Sequence, residues 1–116
     1  MKNLKDTLVE SLNESINTSK TYVLSKLLNQ NTREFREFCG AIADKVGDDL
    51  ESDDIYYALK KGKLVDDPTP LCVDDFEMVN PDFDRGSEWL YCKKLDKYYV
   101  IDIPAWVDEK EAKKYV

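Results

Sequence analysis

The stretch Asp66-Asp67-Pro68-Thr69-Pro70 separates two kinds of sequence pattern, and that separation sets the fold class. Proline lacks an amide hydrogen and restricts the residue before it, so no helix continues through this pentapeptide. Before it, apolar residues recur at helical spacing. After it, β-branched and aromatic residues concentrate in short runs, as strands require.

Upstream, the clearest element runs from Thr32 to Val46. Asn31 and Glu34 have the spacing of a capping box, and Phe35, Phe38, Cys39, Ile42 and Val46 form one apolar stripe that stops at Gly47. A shorter helix is expected after Ser52 as its cap, carrying Ile55, Tyr56 and Leu59 and closed by Gly62. Earlier still, Tyr22, Val23, Leu24, Leu27 and Leu28 suggest a helix that begins after Asn17-Thr18-Ser19 or fuses with the one before it. That first helix is read from Leu4, Leu8, Leu12 and Ile16, with Val9 beside them and Asn3 as cap.

Downstream, residues 71–79 read as a strand and residues 80–87 as a loop. Residues 88–104 read as a hairpin ended by Pro104. With Leu95-Asp96 as a two-residue turn, Cys92 faces Tyr99 and Leu90 faces Ile101. One face then carries Leu90, Cys92, Tyr99, Ile101 and Ile103, and the other Trp89, Tyr91, Tyr98 and Val100. Leu-Asp suits a primed turn poorly, so a loop of three or four residues is the alternative. The stretch from Trp106 to Val116 reads as a short terminal helix, with Asp108 near its start and Lys113 and Lys114 near its end. The expected fold class is α+β: N-terminal helices followed by a small antiparallel sheet with a C-terminal hairpin and a short terminal helix. A length of 116 residues predicts a single domain over 1–116, with 1–16 a candidate separable docking helix.

The net charge is -7, and it is unevenly placed: residues 44–84 hold 13 acidic and 4 basic side chains. A field of that sign disfavours direct nucleic-acid and membrane binding, which call for clustered Lys and Arg. No histidine occurs, which removes the commonest general base and metal ligand. Cys39, Cys72 and Cys92 form no Cys-x-x-Cys pair and suggest buried thiols in a reducing compartment. No apolar run is long enough to span a bilayer, and the opening residues alternate apolar and polar, unlike a signal peptide. These features predict a cytoplasmic protein without enzymatic activity, cofactor or metal.

Three groups of residues are candidates for function. Asp48, Asp49, Glu51, Asp53 and Asp54 form an acidic face that either imitates a phosphate backbone or simply solvates a helix start. Asn80, Asp82 and Asp84 alternate like the opening of a calcium loop, but Arg85 stands at the glycine position and Tyr91 at the bidentate glutamate position. Trp89, Tyr91 and Tyr98 on one hairpin face suit a protein interface, unless helices cover them.

Leu4, Leu8, Leu12 and Ile16 form the remaining candidate surface, either packed on their own domain or docked on a partner. The first 15 residues, with Met1-Lys2, Leu4-Lys5 and Leu8-Val9-Glu10, resemble the N-terminal head-targeting helix of proteins packaged in the capsids of large tailed bacteriophages. In that family a protease cuts after the glutamate of a Leu/Ile-x-Glu motif, a pattern met by Leu8-Val9-Glu10 and Leu12-Asn13-Glu14. The resemblance implies a phage-encoded accessory or head-associated protein, located in the host cytoplasm or the virion. Its expected partner is a capsid, virion or host protein, or a second copy in a homo-oligomer. The competing expectation is an acidic inhibitor that blocks a host nucleic-acid enzyme or defence protein by charge mimicry.

Overall fold

The computed structural model describes residues 17–47 and 50–116. The expectations for Leu4, Leu8, Leu12, Ile16, Asp48 and Asp49 lie outside the described residues. The elements run α1 (Leu24–Gln30), α2 (Thr32–Val46), α3 (Ser52–Lys61), β1 (Phe76–Val79), β2 (Trp89–Cys92), β3 (Lys97–Val100), β4 (Ala105–Val107) and α4 (Glu109–Ala112). The chain is therefore α+β, with helices before Pro68 and a four-stranded antiparallel meander, β1-β2-β3-β4, after Pro70.

Local chemistry explains the helix boundaries. The Asn31 side-chain oxygen accepts the Glu34 amide at 3.0 Å, and α2 ends at Gly47, whose φ of 123° disfavours any side chain. At α3 the cap is Glu51 rather than Ser52, and the Asp54 carboxylate accepts the Glu51 amide at 2.9 Å. No helix runs through residues 17–23. Lys20 N–H closes a turn on Asn17 at 3.0 Å, and Tyr22 is extended, paired with Leu71 through two backbone bonds of 2.8 Å. Asn17 holds that turn by accepting the Ser19 amide on its own side chain.

In the sheet, the expected first strand shortens to Phe76–Val79, because Val73–Asp75 takes a 3-10 turn whose Asp75 carboxylate accepts the Cys72 amide. The β2–β3 connection is a four-residue turn, Lys93–Asp96, with Asp96 left-handed at φ 55°. Its carboxylate accepts the Tyr91 hydroxyl at 2.6 Å, a bond a two-residue turn does not offer. Tyr91 thus faces Tyr98, and Cys92 faces Lys97, two positions away from the expected register. A shift of two leaves the side chains within β2 and β3 on their expected faces. Ile101 and Ile103 leave the inner face altogether, since β3 stops at Val100 and both lie exposed in or beside the turn before β4. Trp106 and Val107, expected in the terminal helix, form β4 instead, and the Asp108 carboxylate then caps α4 through the Glu111 amide.

The core forms where the α2 stripe meets the inner sheet face. Phe35, Phe38, Ile42, Ile55, Leu59 and Phe76 are fully buried, and Phe38 meets Phe76 edge-on at 6.2 Å. Lys45 clamps the helix end to the sheet, its ammonium donating to the carbonyls of Asp74 (3.0 Å) and Phe76 (2.7 Å). β4 is joined to α3 by Trp106, whose indole N–H donates to the Ala58 carbonyl at 2.9 Å. Gly62 leaves space for that ring, because a Cβ there would lie 2.7 Å from Trp106 Cδ1.

Gly62→Ala is therefore expected to destabilise the protein by about 1–3 kcal/mol through overpacking against the Ala58 carbonyl and the indole. Urea unfolding followed by tryptophan fluorescence measures this. An unchanged midpoint would show that the ring does not depend on the missing side chain.

Candidate functional site

Helices α2 and α3 pack over the inner sheet face at Phe76 and Trp106, and towards its far end Leu90 is buried while Met78 is only partly so. There an open concavity of about 370 Å³ lies between α3 and the β3–β4 turn. α3 supplies Asp54, Tyr57 and Ala58, which share one face at i, i+3 and i+4. The sheet supplies Met78, Leu90 and Tyr99, the β3–β4 turn Ile101 and Asp102, and the linker before α3 Leu50. Tyr115 and Glu88 complete the rim. Among the described residues, the lining contains Asp54, Glu88 and Asp102 and no lysine or arginine.

Two properties distinguish this concavity. Tyr57 (50% exposed), Ile101 (72%) and Tyr115 (37%) are three of the five exposed large hydrophobics among the described residues, and all three line it. At its wall, the Tyr99 hydroxyl is the one buried side-chain polar atom without a hydrogen-bond partner among the described residues. Burial pushes its pKa up, and the nearby Tyr57 adds to the effect.

The aromatic residues singled out in the sequence are brought together on the outer sheet face. Trp89 and Tyr98 meet edge-on at 6.2 Å, and Tyr91 tilts against Tyr98 at 4.7 Å. Phe83, from the loop after β1, folds over them at 5.5 Å from Trp89 and 5.4 Å from Tyr98. The Trp89 indole donates to Asp84 in the same loop. This face is thus covered by its own connecting loop and is half-buried. Only Trp89 also reaches the concavity.

Compared with protein-family models, curated proteins and solved structures, the chain matches none.

The acidic side chains have local work. Asp54, Asp75 and Asp108 cap helical turns, Asp67 accepts the Thr69 amide at 2.8 Å, and Asp96 holds Tyr91. Glu51 and Asp53 sit at the start of α3, where the helix dipole favours negative charge. No group of three or more His, Cys, Asp or Glu suited to a metal occurs among the described residues. No helix among the described residues is long and apolar enough to cross a membrane.

The three cysteines are free and buried. Burial pushes the Cys39 thiol up to about 12 and the Cys92 thiol to about 11, and it raises Cys72 as well. A neutral, enclosed thiol is a poor nucleophile. Sequence reasoning missed Tyr57, Met78, Ile101, Asp102 and Tyr115 as members of one surface. Tyr57 lies just off the apolar stripe of α3. Ile101-Asp102-Ile103-Pro104 carried a turn signal in its aspartate and proline that the hairpin reading overrode.

The raised thiols fix the sign of a pH dependence. Unfolded thiols ionise near 9.0, whereas folded Cys39 and Cys92 keep their protons to about 12 and 11. The unfolded state therefore loses protons first, and this contribution to stability, complete below pH 9, declines as pH rises towards 11–12. Urea midpoints measured across this range should fall. At pH 8 a thiol reagent should label the denatured chain much faster than the native one, and equal rates would contradict the burial.

Proposed function

We propose that this chain is a non-catalytic protein-binding module whose contact surface is the concavity between α3 and the β3–β4 turn. The observation that carries the reading is the convergence of exposed Tyr57, Ile101 and Tyr115 on one apolar hollow. A contiguous exposed apolar patch rimmed by charge is the usual signature of an interaction site. Tyrosine suits such a site, since it buries a large area at low entropic cost. Asp54, Glu88 and Asp102 on the rim favour a partner that presents apolar side chains flanked by lysine or arginine. In this reading the partner is a virion or host protein or a second copy. The phage-encoded, head-associated setting rests on the resemblance of residues 1–15 alone.

The test is affinity capture from native cells with the full chain, comparing the native sequence with Ile101→Asp and Tyr57→Ala. Both side chains are exposed, so the variants should unfold at the same urea concentration as the native protein. Each is expected to weaken partner capture by about 2 kcal/mol, the scale of an interface hot spot. Undiminished capture by both variants would move the binding surface elsewhere.

A further inference from the structure

We infer that the concavity receives an arginine side chain of the partner, its guanidinium lying between the aromatic rings and the acidic rim. This rests on the concavity being a protein-binding surface, and it assigns the group that enters. The first argument is the make-up of the lining. Tyr57, Trp89, Tyr99 and Tyr115 bring aromatic rings to it, and Asp54, Glu88 and Asp102 bring carboxylates. The two kinds arrive together: Asp54 stands one helical turn before Tyr57, Glu88 directly precedes Trp89, and Asp102 directly follows Ile101. Three separate elements thus each carry an apolar surface and a negative charge into one hollow. Ring faces attract cations, and a nearby carboxylate adds a charge-assisted hydrogen bond.

The second argument is how the chain treats such groups elsewhere. Tyr56, beside Tyr57 on α3, has the Arg36 guanidinium over its ring at 4.3 Å and the Lys60 ammonium at 5.2 Å, and Lys20 lies 5.2 Å from the centre of the Tyr22 ring. Ion pairs Arg33–Glu37, Lys113–Glu109 and Lys114–Glu111 likewise answer carboxylates on helix surfaces. Among the described residues, no cation lies over a ring of the concavity or pairs with Asp54, Glu88 or Asp102. The charge complementary to this rim is positive, and the partner supplies it. The third argument selects arginine over lysine. A guanidinium is weakly hydrated, stacks flat on a ring and donates in its own plane, whereas an ammonium is a strongly hydrated point charge. The methylene stem of the arginine then lies along Met78 and Leu90.

The test is amide NMR of the full chain titrated with a capped pentapeptide, one arginine between apolar residues, at concentrations on the order of millimolar. The expected result is a set of shifts centred on Tyr57, Leu90 and Ile101. Citrulline in place of arginine, which keeps the shape and removes the charge, should weaken binding about tenfold, and lysine about threefold. Glu88→Gln with Asp102→Asn should also weaken it about tenfold; both side chains are exposed, and Asp54 is left in place because it caps α3. Salt of about 1 M should weaken the arginine peptide and not the citrulline one. Equal binding of the citrulline peptide would overturn the inference in favour of a purely apolar contact, and equal binding of the lysine peptide would overturn the choice of guanidinium. Shifts centred on another surface, or none, would overturn it outright. Failure of the peptide to bind, with capture still weakened by Ile101→Asp, removes the arginine and leaves the protein-binding surface. Peptide binding at the concavity with capture insensitive to Ile101→Asp and Tyr57→Ala overturns the partner reading and leaves only a site for the cation.

Discussion

The hydrogen bond from the Trp106 indole to the Ala58 carbonyl, made over the bare Cα of Gly62, joins the two halves of this molecule. It spans 48 positions of sequence and connects the last strand to the last of the long helices. The same ring meets Phe76 edge-on at 5.9 Å and Tyr99 at 5.4 Å, so it touches β1, β3 and α3 together. The Ala58 carbonyl also accepts the Gly62 amide at 3.0 Å, so the indole adds a second bond to it while filling apolar space between helix and sheet. Where that ring sits decides how far α3 extends over the sheet, and therefore where the uncovered end of the inner face begins.

Several of the carboxylates in this chain act at short range. A net charge of -7 invites a reading in terms of long-range fields, yet Asp54, Asp67, Asp75, Asp96 and Asp108 each accept a hydrogen bond from a group within five residues. Carboxylates at caps and turns satisfy amides that would otherwise be orphaned, at roughly 1 kcal/mol each. Asp54 does both kinds of work, capping α3 while lining the candidate site.

The helical half was legible in the sequence because its signals are local. Asn31, Glu34 and Gly47 bound α2 in the sequence as they do in the structure, and the stripe from Phe35 to Ile42 is the buried face. The sheet was legible in type and, from Trp89 to Val100, in which side chain takes which face, but not in register or length, and Ile101 and Ile103 fall outside it. Its register depends on Asp96 adopting a left-handed backbone and catching Tyr91, a pairing that only the folded hairpin brings within reach. Trp106 and Val107 look helical beside Asp108 and the lysines that follow, and a ladder with Tyr98 and Tyr99 overrides that preference. The candidate site was the least legible part. Tyr57, Met78, Ile101 and Tyr115 are far apart in sequence and share no motif, and only the packing of α3 on the sheet makes them neighbours. The aromatic residues that did stand out, Trp89, Tyr91 and Tyr98, proved to be joined by Phe83 into a small cluster of their own.

The meander has one more consequence, for synthesis on the ribosome. Each strand pairs with the next, so the sheet can assemble in the order in which it is made. The helices come first and carry Phe35, Phe38, Ile42 and Ile55 with no sheet to cover them until Phe76 has been added. Their final closure waits for Trp106, 48 positions after the Ala58 carbonyl it bonds. A nascent chain stalled anywhere between Gly62 and Trp106 displays a sticky helical half to whatever is nearby, so the interval before that single tryptophan is translated is when this protein is most dependent on chaperones.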